Sequence, residues 1–450
     1  MEENLLIIVG KISKVRNSYS VRVLFDCIEN NKNISVKLNN INYKITLGDK
    51  SLVYVFDNLA VNTEYKGIAT LDNKDYIFTF NTTLNPNIVF ISCCGYYTLK
   101  IDGVLDNDSS TIDNLQKEPY DVMIHMGDQL YSDIIKKKCS GGNYVKQYRN
   151  IYRKVFGSTA MQKILRKGSH IMICDDHEFY NNTGSKDKEN PWCVAGQQMY
   201  LEYQESLSNT NYTNCKLLTY NDKNIIIPNL RYESIFNYKK STPYISNELQ
   251  NTVIKSLDKS KMNILITSVP IIQNRLLYQN MFEFLVDRYK NKDNLHIYTK
   301  NTERFLDNLR KSQCNLILVG GDSHLSSNSN ITYNGQIFAK QYISSGISRS
   351  CSSIKNVPIL LKIKEILMDY FNYPRYPDFN FKSDYRSDYV DRYWANNYTI
   401  IYKNNKVKQY KGDNLNLTTY YYYKHFYIIT ILFLLLIFFS VYMYRYLKNN

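Results

Sequence analysis

Cys174, Asp175, Asp176, His177, Glu178, Asn181 and Asn182 fall within nine consecutive positions, a density of metal-binding and proton-handling groups that no other stretch of the chain matches. Smaller clusters of similar type occur at Cys93-Cys94, at Gly127-Asp128-Gln129-Leu130-Tyr131-Ser132-Asp133 and at Gly320-Gly321-Asp322-Ser323-His324. Together they offer hard oxygens (Asp128, Asp175, Asp176, Asn182, Asp322), an imidazole (His324), a phenol (Tyr131) and a thiol (Cys93). Such a mixture can assemble one or more metals, including a borderline or trivalent one. Two metals bridged by one carboxylate can clamp a phosphoryl group and lower the pKa of a bound water. Asp128, after a strand and a glycine, is placed to be the bridge. His177 could protonate a leaving oxygen. Arg231 has two readings, a cation on a phosphate oxygen or a structural ion pair. A single Gly-Asp after a strand is a common turn, and His125 and His170 within apolar runs read as core residues. Cys94, Cys139, Cys174, Cys193, Cys314 and Cys351 read as inert thiols. The argument for chemistry is therefore joint occurrence.

The elements that must position these groups are short apolar runs, each followed at once by a polar cluster. Asn87 to Ser92, Asp121 to Met126, Ser169 to Cys174, Ile225 to Ile227, Asn263 to Thr267 and Asn315 to Val319 read as six buried strands that deliver side chains to one edge. Helical spacing recurs between or beside them at Tyr144 to Arg166, Trp192 to Leu207, Asn247 to Leu257, Met281 to Tyr289 and Thr302 to Leu309. Alternation of this kind predicts an α/β domain over residues 87–395. Residues 1–86 differ: alternating segments at Leu5 to Val9, Val21 to Phe25, Ser35 to Leu38, Tyr43 to Leu47, Ser51 to Phe56 and Tyr76 to Asn81 predict a β-sandwich. Asn58 to Tyr65 resembles the corner of fibronectin type III-like domains where a tyrosine packs into the core. Asn85-Pro86-Asn87 marks the boundary.

The 450 residues carry a formal charge of +15 and are 44% hydrophobic, which allows a large core and excludes a disordered chain. The 42 Tyr, with abundant Lys, Asn and Ile, share A/T-rich codons, so the basicity reflects composition. No arginine-rich stripe accompanies it, and specific nucleic-acid binding is not predicted. Nine Cys without CxxC spacing exclude a zinc ribbon and argue against a disulfide framework. The first residues lack a basic region and a cleavage site, so no signal peptide is expected. Phe426 to Tyr444 carries no charge and predicts a transmembrane helix. The expected layout is thus a polar linker over 396–425, a helix over 426–444 and a short tail over 445–450. That is a single-pass tail anchor in the lipid bilayer, with the body facing the cytosol on a viral or host internal membrane. Val357 to Phe371 also reads as helical.

Gly127 to Asp133, Asp175-Asp176-His177-Glu178-Phe179-Tyr180-Asn181-Asn182 and Gly321-Asp322-Ser323-His324 resemble the PhoD-like (alkaline phosphatase D) branch of the metallophosphatases. Ser92-Cys93, Ile343-Ser344-Ser345-Gly346 and Gln198 to Gln204 add to the resemblance, which covers roughly residues 5–350. It implies a four-layer α/β/β/α domain preceded by a fibronectin- or Ig-like sandwich, and hydrolysis of phosphate monoesters or diesters. It also implies two or more metals, iron with calcium. Cys93, Asp128, Tyr131 and His324 would surround the iron; Asp128, Asn182 and Asp322 would serve the second site, with Asp175 or Asp176 a further ligand or an outer partner. The chain departs from that pattern at Asn229-Leu230-Arg231, where the family usually shows Asp-x-Arg. Two other functions share these features: a non-enzymatic structural or docking protein of a membrane or envelope that keeps the fold, and a phosphodiesterase directed at phospholipid.

Overall fold

The computed structural model describes residues 3–27, 29, 32–94, 110–132, 142–180, 183, 187–209, 211–237, 245–272, 299–324, 326–347, 385–393 and 396–411. Seven strands form the N-terminal sandwich. Strands β1 (Leu5–Val15), β2 (Ser18–Cys27) and β5 (Leu52–Leu59) make one sheet, in the order β1-β2-β5. Strands β3 (Lys32–Leu38), β4 (Ile41–Leu47), β6 (Glu64–Leu71) and β7 (Lys74–Asn81) make the other, in the order β4-β3-β6-β7. Inward residues of both sheets, among them Val23, Phe25, Val36, Phe56 and Phe78, form a common core. Alternate side chains of a strand point to opposite faces, which is why the period-two pattern is legible in the sequence. Tyr65 is buried, and its hydroxyl accepts the Ala60 N–H at 2.6 Å. That strand, β6, was not foreseen; its alternation is broken by Gly67 and Ala69.

The first strand serves two cores at once. Leu5, Ile7 and Val9 lie inside the sandwich, while Leu6 and Ile8 enter the core of the following domain. Polar contacts fix the same seam: Ser169 Oγ donates to the Gly10 carbonyl at 2.9 Å, and Arg153 makes a two-pronged pair with Asp26 at 2.8 and 2.9 Å. Burying an aliphatic side chain stabilises by roughly 1.5–3 kcal/mol, so this seam ties the two units together.

The second unit contains two facing sheets. In the first, β8 (Ile88–Ile91), β9 (Val122–Met126) and β10 (Ser169–Ile173) run parallel, and β18 (Asn397–Ile401) pairs antiparallel with β8 and carries β19 (Val407–Lys411). In the second, β12 (Lys223–Pro228), β13 (Met262–Thr267), β14 (Leu316–Gly320) and β16 (Gln336–Ser344) are parallel. Strands β11 (Cys215–Thr219) and β15 (Ser326–Tyr333), antiparallel to these, and β17 (Tyr385–Tyr393), antiparallel to β15, complete it, in the order β11-β12-β13-β14-β16-β15-β17. Phe90, Ile124 and Ile171 of the first sheet meet Ile225, Ile264 and Val319 of the second in one core. The opposite faces are covered by helices. Val89, Met123 and Met172 pack with residues of α1 (Ser110–Lys117), α2 (Tyr144–Phe156), α3 (Thr159–Leu165) and α4 (Pro191–Tyr203). Leu265 and Leu318 pack with Leu249 of α5 (Asn247–Lys255) and Phe305 of α6 (Thr299–Lys311). Strands buried on both faces are uniformly apolar, which made these strands conspicuous.

The helical spacing from Tyr144 to Arg166 is divided between α2 and α3. Gly157 closes the first, and Ser158 caps the second by accepting the Met161 N–H.

Two expectations are corrected. The stretch from residue 396, expected as a linker, supplies β18 and β19: five consecutive positions of β18 are buried, because the strand lies beside β8. Its later part, 412–425, lies outside the described residues. The single-pass tail anchor facing the cytosol is not supported, since no helix among the described residues is long and apolar enough to cross a membrane. Residues 426–450, on which that expectation rested, lie outside the described residues, as do the expected helices at Met281 to Tyr289 and Val357 to Phe371.

Candidate metal centre

Parallel strands share a direction, so their carboxyl ends lie on one edge, where open α/β sheets place their ligands. Here the ends of β8, β9, β10, β12, β13, β14 and β16 lead into Cys93, Asp128, Asp175, Arg231, Ser268, Asp322 and Ser345. Four residues past these strands adopt the left-handed backbone: Cys93 (φ 58°), Asp128 (φ 57°), Asp322 (φ 59°) and His324 (φ 52°). This conformation costs a non-glycine residue roughly 1–2 kcal/mol, and such strain concentrates at functional sites. Gly127, at φ 94°, is where glycine is required: a Cβ there would stand 2.5 Å from the Cβ of Asp175. Its absence lets the ends of β9 and β10 touch.

The result is three overlapping donor groups, and within each the ligand atoms lie within 4.8 Å of one another. One is Cys93, Asp128 and His324; another is Asp128, Asp176 and His177; the third is Asp128, Asp175, Asp176 and Asp322. Asp128 belongs to all three. Tyr131 donates its hydroxyl to Asp128 Oδ2 at 3.3 Å, and its ring lies 4.2 Å from that of His177. Cys93, Asp128, Tyr131, Asp175 and Asp176 are buried as a floor, whereas His177, Asp322 and His324 are half-buried and form the rim. Asn182 lies outside the described residues.

Arg231 is brought to the cluster through Asp175: its Nε donates to Asp175 Oδ1 at 2.6 Å, and Ser268 Oγ donates to the same oxygen at 3.2 Å. Asn229 is turned away. Its amide donates to the Tyr200 hydroxyl at 2.7 Å and its oxygen faces the Cys174 thiol at 3.4 Å. The missing carboxylate at that position therefore removes no group from the cluster.

Electrostatics marks the site as a place for positive charge. Burial, with the neighbouring acids, holds Asp128 well above the usual carboxylate range. Burial and the charges of Asp175 and Asp176 push Asp322 up to about 7. Burial, with Asp322 nearby, pushes the Cys93 thiol up to about 11. Acids crowded this closely cannot all ionise without a cation. Two oxygens show the same need: Asp128 Oδ1 and Asp175 Oδ2 are buried without a hydrogen-bond partner among the described residues, an arrangement that costs roughly 1–3 kcal/mol per group unless something binds there. The donors fit metals: sulfur, phenol, imidazole and carboxylate on one side, oxygen alone on the other.

Four further residues, to which the sequence assigns no role of their own, serve the site. Ser92 Oγ accepts the Asp322 N–H at 3.2 Å and Ser345 Oγ accepts the His324 N–H at 2.8 Å. Both hydroxyls also contact Cys93 Sγ, at 3.1 and 3.0 Å. Ser268 supports Asp175, and Glu178 lies buried behind Asp128 and Asp175. Ser92 and Ser345 stand within motifs that carry the family resemblance, and Glu178 stands three residues after an Asp that begins a helical turn, the spacing of a capping box; Ser268 has no such signal.

A family model described as PhoD-like phosphatase matches residues 88–209, a segment that holds Cys93, Asp128, Tyr131, Asp175, Asp176 and His177 and stops short of Arg231, Asp322 and His324. Among solved structures, one titled "Structure of PhoD" aligns at a TM-score of 0.61 and 15% identity, covering 90% of this chain and 88% of that one. A β-glucuronidase from an uncultured Clostridium sp. aligns at a TM-score of 0.20 and 9% identity, over 70% of this chain and 46% of that one. One from Lactobacillus rhamnosus aligns at 0.21 and 7%, over 70% and 52%. The first likeness shows the fold; the other two carry no argument. No curated protein matches the chain.

Proposed function

We propose that the chain is a metal-dependent phosphoesterase acting on phosphate monoesters or diesters. The observation that carries this reading is Asp128, a buried carboxylate common to three donor groups, with one oxygen left without a hydrogen-bond partner among the described residues. Cys93, Asp128, Tyr131 and His324 would hold a borderline or trivalent metal such as iron. Asp128, Asp175, Asp176 and Asp322 would hold a hard cation such as calcium. When bound, such metals neutralise phosphoryl oxygens and lower the pKa of water.

The chain's own residues do the remainder. His177, half-buried at the rim and packed on the Tyr131 ring, protonates the leaving oxygen. Asp175 gives one oxygen to Arg231 and Ser268 and leaves the other without a hydrogen-bond partner among the described residues. Arg231 thus acts through Asp175, whose charge and orientation it fixes. The floor excludes water from all but the rim, which strengthens every electrostatic contact inside it.

The test is to purify the chain, measure its bound metals, and assay nitrophenyl phosphate and bis-nitrophenyl phosphate beside an Asp128→Ala variant. Bound metal and turnover that both disappear in the variant are expected. A wild-type protein without metal, or equal background rates in the two, would overturn the proposal and favour a non-enzymatic role for the fold.

A further inference from the structure

The donor cluster draws its acids from strands that are far apart in sequence, so something must hold their ends in register. At the edge of β14 and β16 that work falls to the Ser92 and Ser345 hydroxyls. At the edge of β9 and β10 it falls to one buried carboxyl group, beside the Gln129 side-chain amide, which donates to the Ile173 carbonyl at 3.3 Å. Glu178 is fully buried, and all three of its hydrogen bonds go to main-chain N–H groups of the two strand ends. Its Oε2 accepts from Asp128 at 3.0 Å and from Asp175 at 2.7 Å; its Oε1 accepts from Gln129 at 2.6 Å.

We propose that Glu178 is a positioning residue for the metal centre, acting through the backbone of Asp128 and Asp175 and touching no metal itself. The inference rests on the metal-dependent reading of the site. Two of the three amides belong to residues whose side chains enter the four-acid group, and the third follows directly on Asp128. The Asp128 amide sits in a left-handed turn that is unfavourable on its own, and Glu178 Oε2 satisfies its N–H at 3.0 Å. The turn that presents Glu178 is itself held: Ser132 Oγ donates to the carbonyls of His177 and Phe179, each at 3.0 Å, and the Tyr148 hydroxyl donates to Phe179 at 2.6 Å. Glu178 therefore joins the loop after β9 to the loop after β10 through a fixed frame. Loss of these acceptors frees the loops that carry Asp128 and Asp175 to separate, since it removes hydrogen bonds that both loops make to one side chain.

The experiment compares wild type, Glu178→Gln, Glu178→Asp and a control, Asp26→Asn, which removes an equally buried carboxylate at the sandwich seam. Glutamine keeps the shape but turns an N–H toward an N–H; aspartate keeps both acceptor oxygens but shortens the reach. Metal affinity is read by chelator competition, and amide exchange is read in metal-free protein over residues 126–130 and 174–178. Glu178→Gln is expected to weaken metal binding about 10–100-fold, as loss of a group that orients ligands does, and to speed exchange at both segments. Glu178→Asp is expected to fall between. Asp26→Asn should lower thermal stability while leaving metal affinity as in wild type. Wild-type affinity in a folded Glu178→Gln protein would overturn the proposal, as would an equal loss of affinity in Asp26→Asn. Absence of metal from the wild type would instead sink the phosphoesterase reading, while slower exchange relative to Glu178→Gln would still establish the clamp.

Discussion

Arg231 and Asp175 form a buried ion pair, Nε to Oδ1 at 2.6 Å, with side chains 1% and 0% exposed. The pair sits at the inner wall of the acidic cluster and uses one of the two carboxylate oxygens. Removing one member of such a pair strands the other charge, at a cost of roughly 3–5 kcal/mol. Arg231→Met is therefore expected to lower the urea midpoint sharply and to reduce metal binding. The double variant Arg231→Met/Asp175→Asn should recover most of the stability and none of the metal affinity. Recovery of both would show that Asp175 serves Arg231 alone.

His177 stands beside both Asp128 and Asp176, close enough to be a ligand, and also at the rim, where a leaving group would sit. Leaving-group dependence separates the two roles. A general acid contributes roughly 10²–10⁴ in rate where the leaving oxygen needs a proton. His177→Gln should thus lose that much with an alkyl phosphate and far less with a nitrophenyl ester, at unchanged metal content. Equal losses on both, with metal depleted, would make it a ligand.

Asp322 links function to a stability cost. Its carboxyl is raised to about 7 by burial and by Asp175 and Asp176, so in metal-free protein the folded state holds a proton that the unfolded state releases near the ordinary carboxylate value. The sign follows from linkage: the folded state is favoured at low pH, and that advantage is lost as pH rises through the interval up to about 7. Asp322→Asn removes the effect. Metal-free Asp322→Asn should be more stable than metal-free wild type at pH 8, with the difference shrinking toward pH 4, while its metal affinity falls. A pH-independent difference would contradict the assignment.

His125 and His170 give a pH effect of opposite sign. His170 Nε2 faces two carbonyls, Ile164 at 3.1 Å and Lys167 at 3.0 Å, so it carries the proton; its Nδ1 accepts from His125 Nε2 at 2.9 Å. Burial lowers His170 to about 4, and burial with His170 beside it holds His125 well below the ordinary value. The unfolded chain takes up protons that the folded one refuses, so stability is full above about pH 6.5 and is lost toward pH 4, by up to about 1.4 kcal/mol per pH unit for each proton. The gap in urea midpoint between wild type and His125→Leu should narrow over that interval. A gap constant with pH would show that the pair titrates normally.

The sequence by itself determined the strands and the chemistry at their ends. Ile171 to Ile173 and Leu316 to Val319 are apolar without interruption because both their faces are buried, and the polar residues that follow are conspicuous by contrast. Asp128, Asp175, Asp176, His177, Asp322 and His324 were legible in that way. Partnership was not, because it depends on which distant ends the packing brings together. Only the tertiary structure decided that Arg231 answers Asp175, that Asn229 faces Tyr200 and Cys174 instead of the cluster, and that Glu178 gives its oxygens to backbone N–H groups. The same holds for β18, whose residues 397–401 read as part of a polar connector until β8, more than 300 positions earlier, supplied its hydrogen bonds. Hydrophobic periodicity is a local property and survives in one dimension; a buried charge takes its role from its neighbours, and those are set by the fold.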